Sequence, residues 1–128
     1  MEWTFKSDQP IYAQLVEQLR LAIASGELVP GARLSSVRDM AAEAGVNPNT
    51  LQRALQELER RGLVFSQRTT GRFVTEDAAL IARERQAIAE ARADAFLQAM
   101  EQLGYGREEI ISLIREKKED DYEPDPGM

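Results

Sequence analysis

The chain has no histidine and no cysteine among its 128 residues. Those two absences together remove the common zinc ligand sets, thiol nucleophiles and imidazole base chemistry. A cysteine-free chain also fits a reducing compartment. No stretch approaches the roughly 20 apolar residues that a membrane span requires, and no basic-then-apolar leader pattern opens the sequence. We therefore expect a cytoplasmic protein with no membrane attachment. A phosphate-cradling Gly-rich loop, a metal-ligand cluster and a nucleophile–base pair are also lacking, and the carboxylate pairs Glu108-Glu109 and Asp120-Asp121 read as solvated charge. No enzyme, cofactor or metal is expected.

The apolar content is 43%, enough for one modest core or a small domain with a helical appendage. The net charge of −6 is unevenly distributed. Residues 1–76 carry nine basic and nine acidic side chains, whereas 77–128 carry seven and thirteen. Within 33–72 the balance is positive, seven against four. A polyanion responds to the local face, because screening limits its reach to roughly 8–10 Å. The acidic excess lies away from the basic segment.

That basic segment carries the strongest signal, LSSVRDMAAEAGVNPNTLQRALQELERRGLVFSQRTTGRFV at 34–74. Ala41, Gly45 and Leu51 have the spacing of a helix-turn-helix: a small residue for close helix approach, a glycine for the left-handed turn, and an apolar anchor. Ser36 with Asp39 forms a short capping box, and Asn47 followed by Pro48 supplies an N-cap and a favoured first helical residue. On a helix from Pro48 to Arg61, Leu51, Ala54, Leu55 and Leu58 share one face. Asn49, Arg53, Gln56 and Arg60 share the opposite one. Arginine pairs with guanine O6 and N7, and Asn or Gln with adenine N6 and N7, so this face suits a major groove. Thr50 and the first-turn amides suit a phosphate. Arg38, in the first turn of the preceding helix, is placed to grip the backbone or a base edge. We include Asn47 in the contact set as well.

Gly62 ends this helix, and Leu63–Ser66 and Arg72–Thr75 read as two short strands. Between them Gln67-Arg68-Thr69-Thr70-Gly71 makes a polar hairpin tip suited to flanking phosphates or a minor groove. The expected fold is mainly α with a small β-wing, a winged helix-turn-helix followed by a C-terminal helical hairpin.

Residues 10–74, from PIYAQLVEQLRLAIASGELVPGARL through the segment above, resemble the N-terminal domain of the GntR family of bacterial transcription regulators. The short remainder resembles the YtrA subfamily, in which a small dimerisation unit replaces a large effector domain. The resemblance implies DNA-contacting roles for Arg38, Asn49, Thr50, Arg53 and the wing around Arg68 and Gly71. The chain departs from the family at Ser35, where many members have proline. It departs again at Pro48 and Gln52, where members with large effector domains often have arginine, so their operators do not transfer.

At the N-terminus, Trp3 and Phe5 are expected to pack on the domain or on a partner. Pro10 opens a helix with Tyr12, Leu15, Val16, Leu19 and Ile23 at helical spacing, ending at Ser25-Gly26. From Asp77 an alanine-rich charged stretch without Gly or Pro predicts one helix of about 26 residues, broken at Gly104-Tyr105-Gly106. A second helix follows from Arg107 to about Glu119. We read 1–76 as the DNA-binding domain, 77–119 as a helical dimerisation region and 120–128 as a disordered acidic tail. Two helices cannot cover both of their own apolar seams, so Ile81, Ile88, Phe96, Met100, Leu103, Ile110 and Ile114 are assigned to a two-fold interface.

The function expected is a sequence-specific regulator of transcription. It would act as a homodimer on double-stranded DNA at an inverted-repeat operator, as a repressor by excluding polymerase. The sequence neither supplies nor excludes a small-molecule effector. The competing reading, a winged helix used only as a protein-interaction module with the acidic helical half docking on a partner, leaves Arg53, Arg60, Arg68 and Arg72 as idle surface.

Overall fold

The computed structural model describes residues 1–121, in the order α1 (Ile11–Ser25), α2 (Val37–Ala44), α3 (Pro48–Arg60), β1 (Val64–Gln67), β2 (Gly71–Val74), α4 (Ala78–Gln102) and α5 (Arg107–Asp121). Two compact units divide the chain, one from Met1 to Ile88 and one from Ala89 onward.

In the first unit, α1, α2 and α3 place Leu15, Leu19, Ile23, Met40, Leu51, Leu55 and Leu58 in a common core closed by Leu63, Val64 and Val74. Full burial contributes about 1.5–3 kcal/mol for each large aliphatic side chain, and Leu15, Leu51 and Leu58 have no exposed surface. The helix starts behave as the sequence expects. Ser36 Oγ accepts from the Asp39 N–H at 3.1 Å, and Asn47 Oδ1 accepts from the Asn49 N–H at 2.8 Å. Gly45, at φ 71°, makes the left-handed turn between α2 and α3. Asn47→Ala is expected to lower stability by about 1 kcal/mol through loss of the cap, a downward shift in thermal unfolding midpoint being the measurement.

The aromatic arm packs on its own domain. Met1, Trp3 and Phe5 lie against the core, with Trp3 and Phe5 stacked at 6.1 Å between ring centroids. Two glutamines of α1 tie the arm down through its backbone. Gln14 Oε1 accepts from the Lys6 N–H at 2.7 Å, while Gln18 Nε2 donates to the Thr4 carbonyl at 2.7 Å.

β1 and β2 pair antiparallel, Val64 opposite Val74 and Gln67 opposite Gly71. Each strand sits one residue nearer the hairpin tip than the sequence suggests. Leu63 is used otherwise: its N–H bonds the Leu58 carbonyl and closes the end of α3. A third segment joins the sheet, which sequence reading missed. Arg33 bridges Phe73, the Leu34 N–H donates to the Arg72 carbonyl, and the Val74 N–H donates to the Ala32 carbonyl, both at 2.9 Å. Three residues after a Pro-Gly turn are too short to show a strand period.

The long helix begins where the sequence places it, with Asp77 Oδ1 accepting from the Leu80 N–H at 3.1 Å. The unit boundary, however, falls within α4 and not at 76/77. The first turns of α4 belong to the first unit because Leu80 and Ile81 pack on its core. Arg20 Nε meets Glu84 Oε2 at 2.5 Å, and Arg85 Nη1 donates to the Ala24 carbonyl at 3.4 Å. Ile81, 7% exposed, is therefore a core residue and not the interface residue expected.

In the second unit, α4 ends at Gln102 and α5 starts at Arg107, with the Gly106 N–H donating to Glu109 Oε1. Asp120 and Asp121, expected in the tail, continue α5. The rest of that expectation, 122–128, lies outside the described residues.

Candidate nucleic-acid interface

The capped start of α3 turns Asn49, Thr50, Arg53 and Gln56 outward, opposite the buried Leu51, Ala54, Leu55 and Leu58. Asn49, Arg53 and Gln56 are exposed and Thr50 is half-buried. Arg38, exposed on the first turn of α2, belongs to the same helix-turn-helix. Asn47 differs from the others. Its Oδ1 is committed to the cap, so its part in any contact is to hold the first turn of α3 and its amides in place.

The arginines between residues 33 and 72 fall into two groups. Arg60 and Arg61 both bind Glu57, Arg60 Nε to Oε1 at 2.9 Å and Arg61 Nε to Oε2 at 2.8 Å. The hydrogen bond from Arg60, aided by that from Arg61, holds the Glu57 carboxyl down to about 2. Arg72 on β2 donates to Glu59 Oε1 at 2.7 Å and to Gln52 Oε1 at 3.2 Å, and Ser66 Oγ also donates to Glu59. Burial opposes the charged form of Glu59, yet these donors lower its pKa on balance. The result is a brace between the recognition helix and both strands of the wing. Arg60, which the sequence places on the outward face of α3, and Arg72 are thus engaged within the protein.

Arg33, Arg38, Arg53 and Arg68 form the second group. All four are exposed, and none makes an ion pair among the described residues. Arg68 stands at the wing tip, in the three-residue loop between Gln67 and Gly71. Gly71 has φ 111°, and a Cβ there would meet Arg33 Nε at 3.3 Å. Its contribution is backbone shape: it lets the tip turn back beside Arg33. Sequence reading did not single out Arg33. The only clue was the preceding Pro-Gly turn, since its position beside the wing depends on the third sheet segment.

Of the residues assigned to an interface, Phe96, Leu103 and Ile114 are 43%, 72% and 49% exposed, and Ile88 and Met100 are half-buried. Ile110 is 2% exposed in the single chain and has no surface left for a partner. Its neighbour Ile111, 37% exposed, is available instead. Phe96, Met100, Leu113 and Ile114 line an apolar groove of about 520 Å³, rimmed by Lys117 and Lys118.

Residues 11–74 match the family model described as "Bacterial regulatory proteins, gntR family". The chain is similar to the uncharacterized HTH-type transcriptional regulator YhcF of Bacillus subtilis, 36% identical over 90% of this chain and 95% of the relative. It is also 38% identical to the HTH-type transcriptional repressor YtrA of the same organism, over 57% of this chain and 56% of that one. Among solved structures, a GntR family transcriptional regulator from Listeria monocytogenes superposes with a TM-score of 0.81 at 36% identity, covering 88% of this chain and 98% of its own. AraR(DBD) in complex with operator ORR3 matches with a TM-score of 0.50 at 27% identity, covering 59% of this chain and 88% of its own.

Proposed function

The chain belongs to the gntR family of bacterial regulatory proteins, and on that footing we propose that it is a homodimeric repressor binding an inverted-repeat operator in the cytoplasm. Its winged helix-turn-helix is a DNA-binding domain of a transcription regulator. The observation that carries the finer reading is the outward face of α3, where Asn49, Arg53 and Gln56 stand exposed beside a wing with Arg68 at its tip. Asn49, Arg53 and Gln56 carry the donors and acceptors that read base edges, and Arg38, Arg68 and Arg33 flank them as phosphate contacts. Bound near a promoter, such a protein excludes polymerase without further machinery. The repressor name of YtrA and the operator in the AraR(DBD) complex support the same assignment.

Dimerisation is supported by the second unit. Phe96 on α4, Leu103 just beyond it, and Ile111 and Ile114 on α5 are large apolar side chains left exposed, and Phe96 and Ile114 line an apolar groove. A second copy of the same helices covers such a face through an isologous two-fold contact. A protein-interaction module without DNA binding leaves unexplained the four exposed arginines that make no ion pair among the described residues.

The test is binding to duplexes enriched from a randomised pool. The wild-type protein should select a palindromic site, and Arg53→Ala should weaken it by about 1–3 kcal/mol, roughly 5- to 150-fold, and relax preference at one base pair per half-site. Equal affinity for every duplex sinks the reading.

A further inference from the structure

We propose that Tyr12, on α1, is a positioning residue for base recognition, its ring holding the Arg53 guanidinium in the attitude from which α3 reads the groove. This rests on the DNA-binding reading above. Arg53 Cζ lies 4.7 Å from the centroid of the Tyr12 ring. Tyr12 itself is half-buried and packed against the core, so the ring offers a fixed platform supplied by a different helix.

Arg60 and Arg61 at the end of α3, and Arg72 on β2, are held differently. Arg60 is held by Glu57 and Arg72 by Glu59, and each carboxylate occupies guanidinium donors and cancels charge. Arg53 makes no ion pair among the described residues and is exposed. An aromatic face restrains arginine without either effect. A guanidinium stacked on a ring face keeps its in-plane N–H groups free, and those are the donors that pair with guanine O6 and N7. A long, rotamer-rich side chain is thereby ordered before it meets DNA. Tyr12 thus contributes to specificity without touching a base.

The test uses full-length protein and the duplex that the wild type enriches from a randomised pool. Tyr12→Leu should weaken binding about two- to five-fold, the range of an exposed cation–π contact, and the loss should appear as relaxed preference at the base pair that Arg53→Ala also relaxes. Tyr12→Phe keeps the ring and should match the wild type. In an Arg53→Ala background, Tyr12→Leu should add nothing, which separates positioning from any general loss of stability. Additive losses in that double variant overturn the proposal. So does Tyr12→Phe proving as damaging as Tyr12→Leu, which assigns the effect to the hydroxyl. If the wild type enriches no sequence at all, the DNA-binding reading fails first and independently.

Discussion

Ending the chain at Ile88 is expected to leave a folded winged helix whose affinity for a full palindrome falls about 10²- to 10⁴-fold, to that of a half-site, because the second contact is no longer intramolecular. The cut follows the division of the chain into compact units. It keeps Leu80 and Ile81 on the core, and with them the Arg20–Glu84 ion pair. Ending at Glu76 instead removes Ile81 from that core. Losing a buried isoleucine beyond Cβ typically costs about 2–5 kcal/mol, so the shorter fragment should unfold at lower temperature, a contrast that calorimetry can read. In the intact chain, Ile114→Asp places a charge in the groove lined by Phe96, Met100 and Leu113. If a second copy covers that groove, the unpaired charge is desolvated and the dimer dissociates; sedimentation should then show a monomer with the winged helix still folded. A full-length wild type that sediments as a monomer at micromolar concentration, with undiminished operator affinity, overturns the dimer.

The parts of the fold that were legible in the sequence are those set by local chemistry. Ser36 and Asn47 cap the helices they precede because a short acceptor side chain reaches the free amides of a first turn. The alternation of buried leucines with polar residues on α3 follows from the helical period alone. What escaped was set by contacts distant in sequence. The Arg33–Phe73 bridge joins segments forty residues apart, and the bond from Arg72 to Gln52 crosses from wing to helix. Ile81 and Ile88 are alike by period; only packing distinguishes the one buried at 7% exposure from the one left half-buried. The candidate site divides in the same way. That α3 has an outward polar face is periodicity, but that Arg60 is held by Glu57 while Arg53 rests on Tyr12 depends on side-chain placement.

Operator affinity should fall steeply with salt, and the slope is expected to depend on the exposed arginines that make no ion pair among the described residues. Each phosphate neutralised contributes about −0.9 to the slope of log affinity against log salt, so four to eight contacts per dimer give roughly −3.5 to −7, a loss of about 10²- to 10⁴-fold between 50 and 200 mM. Arg33, Arg38 and Arg68 are exposed and without an ion pair among the described residues, so the phosphate contacts that release counterions should come from them. Arg68→Ala, at the tip between β1 and β2, removes one such contact per half-site and should flatten the slope by about 2. Arg72→Ala should behave otherwise. Its guanidinium is already compensated by Glu59, so its loss releases the brace between wing and α3 and weakens binding while leaving the slope nearly unchanged. The two variants therefore separate charge from scaffold in one titration series. A wild-type slope near zero removes the electrostatic account altogether, and an Arg72→Ala slope as flat as that of Arg68→Ala shows that Arg72 leaves Glu59 to meet a phosphate.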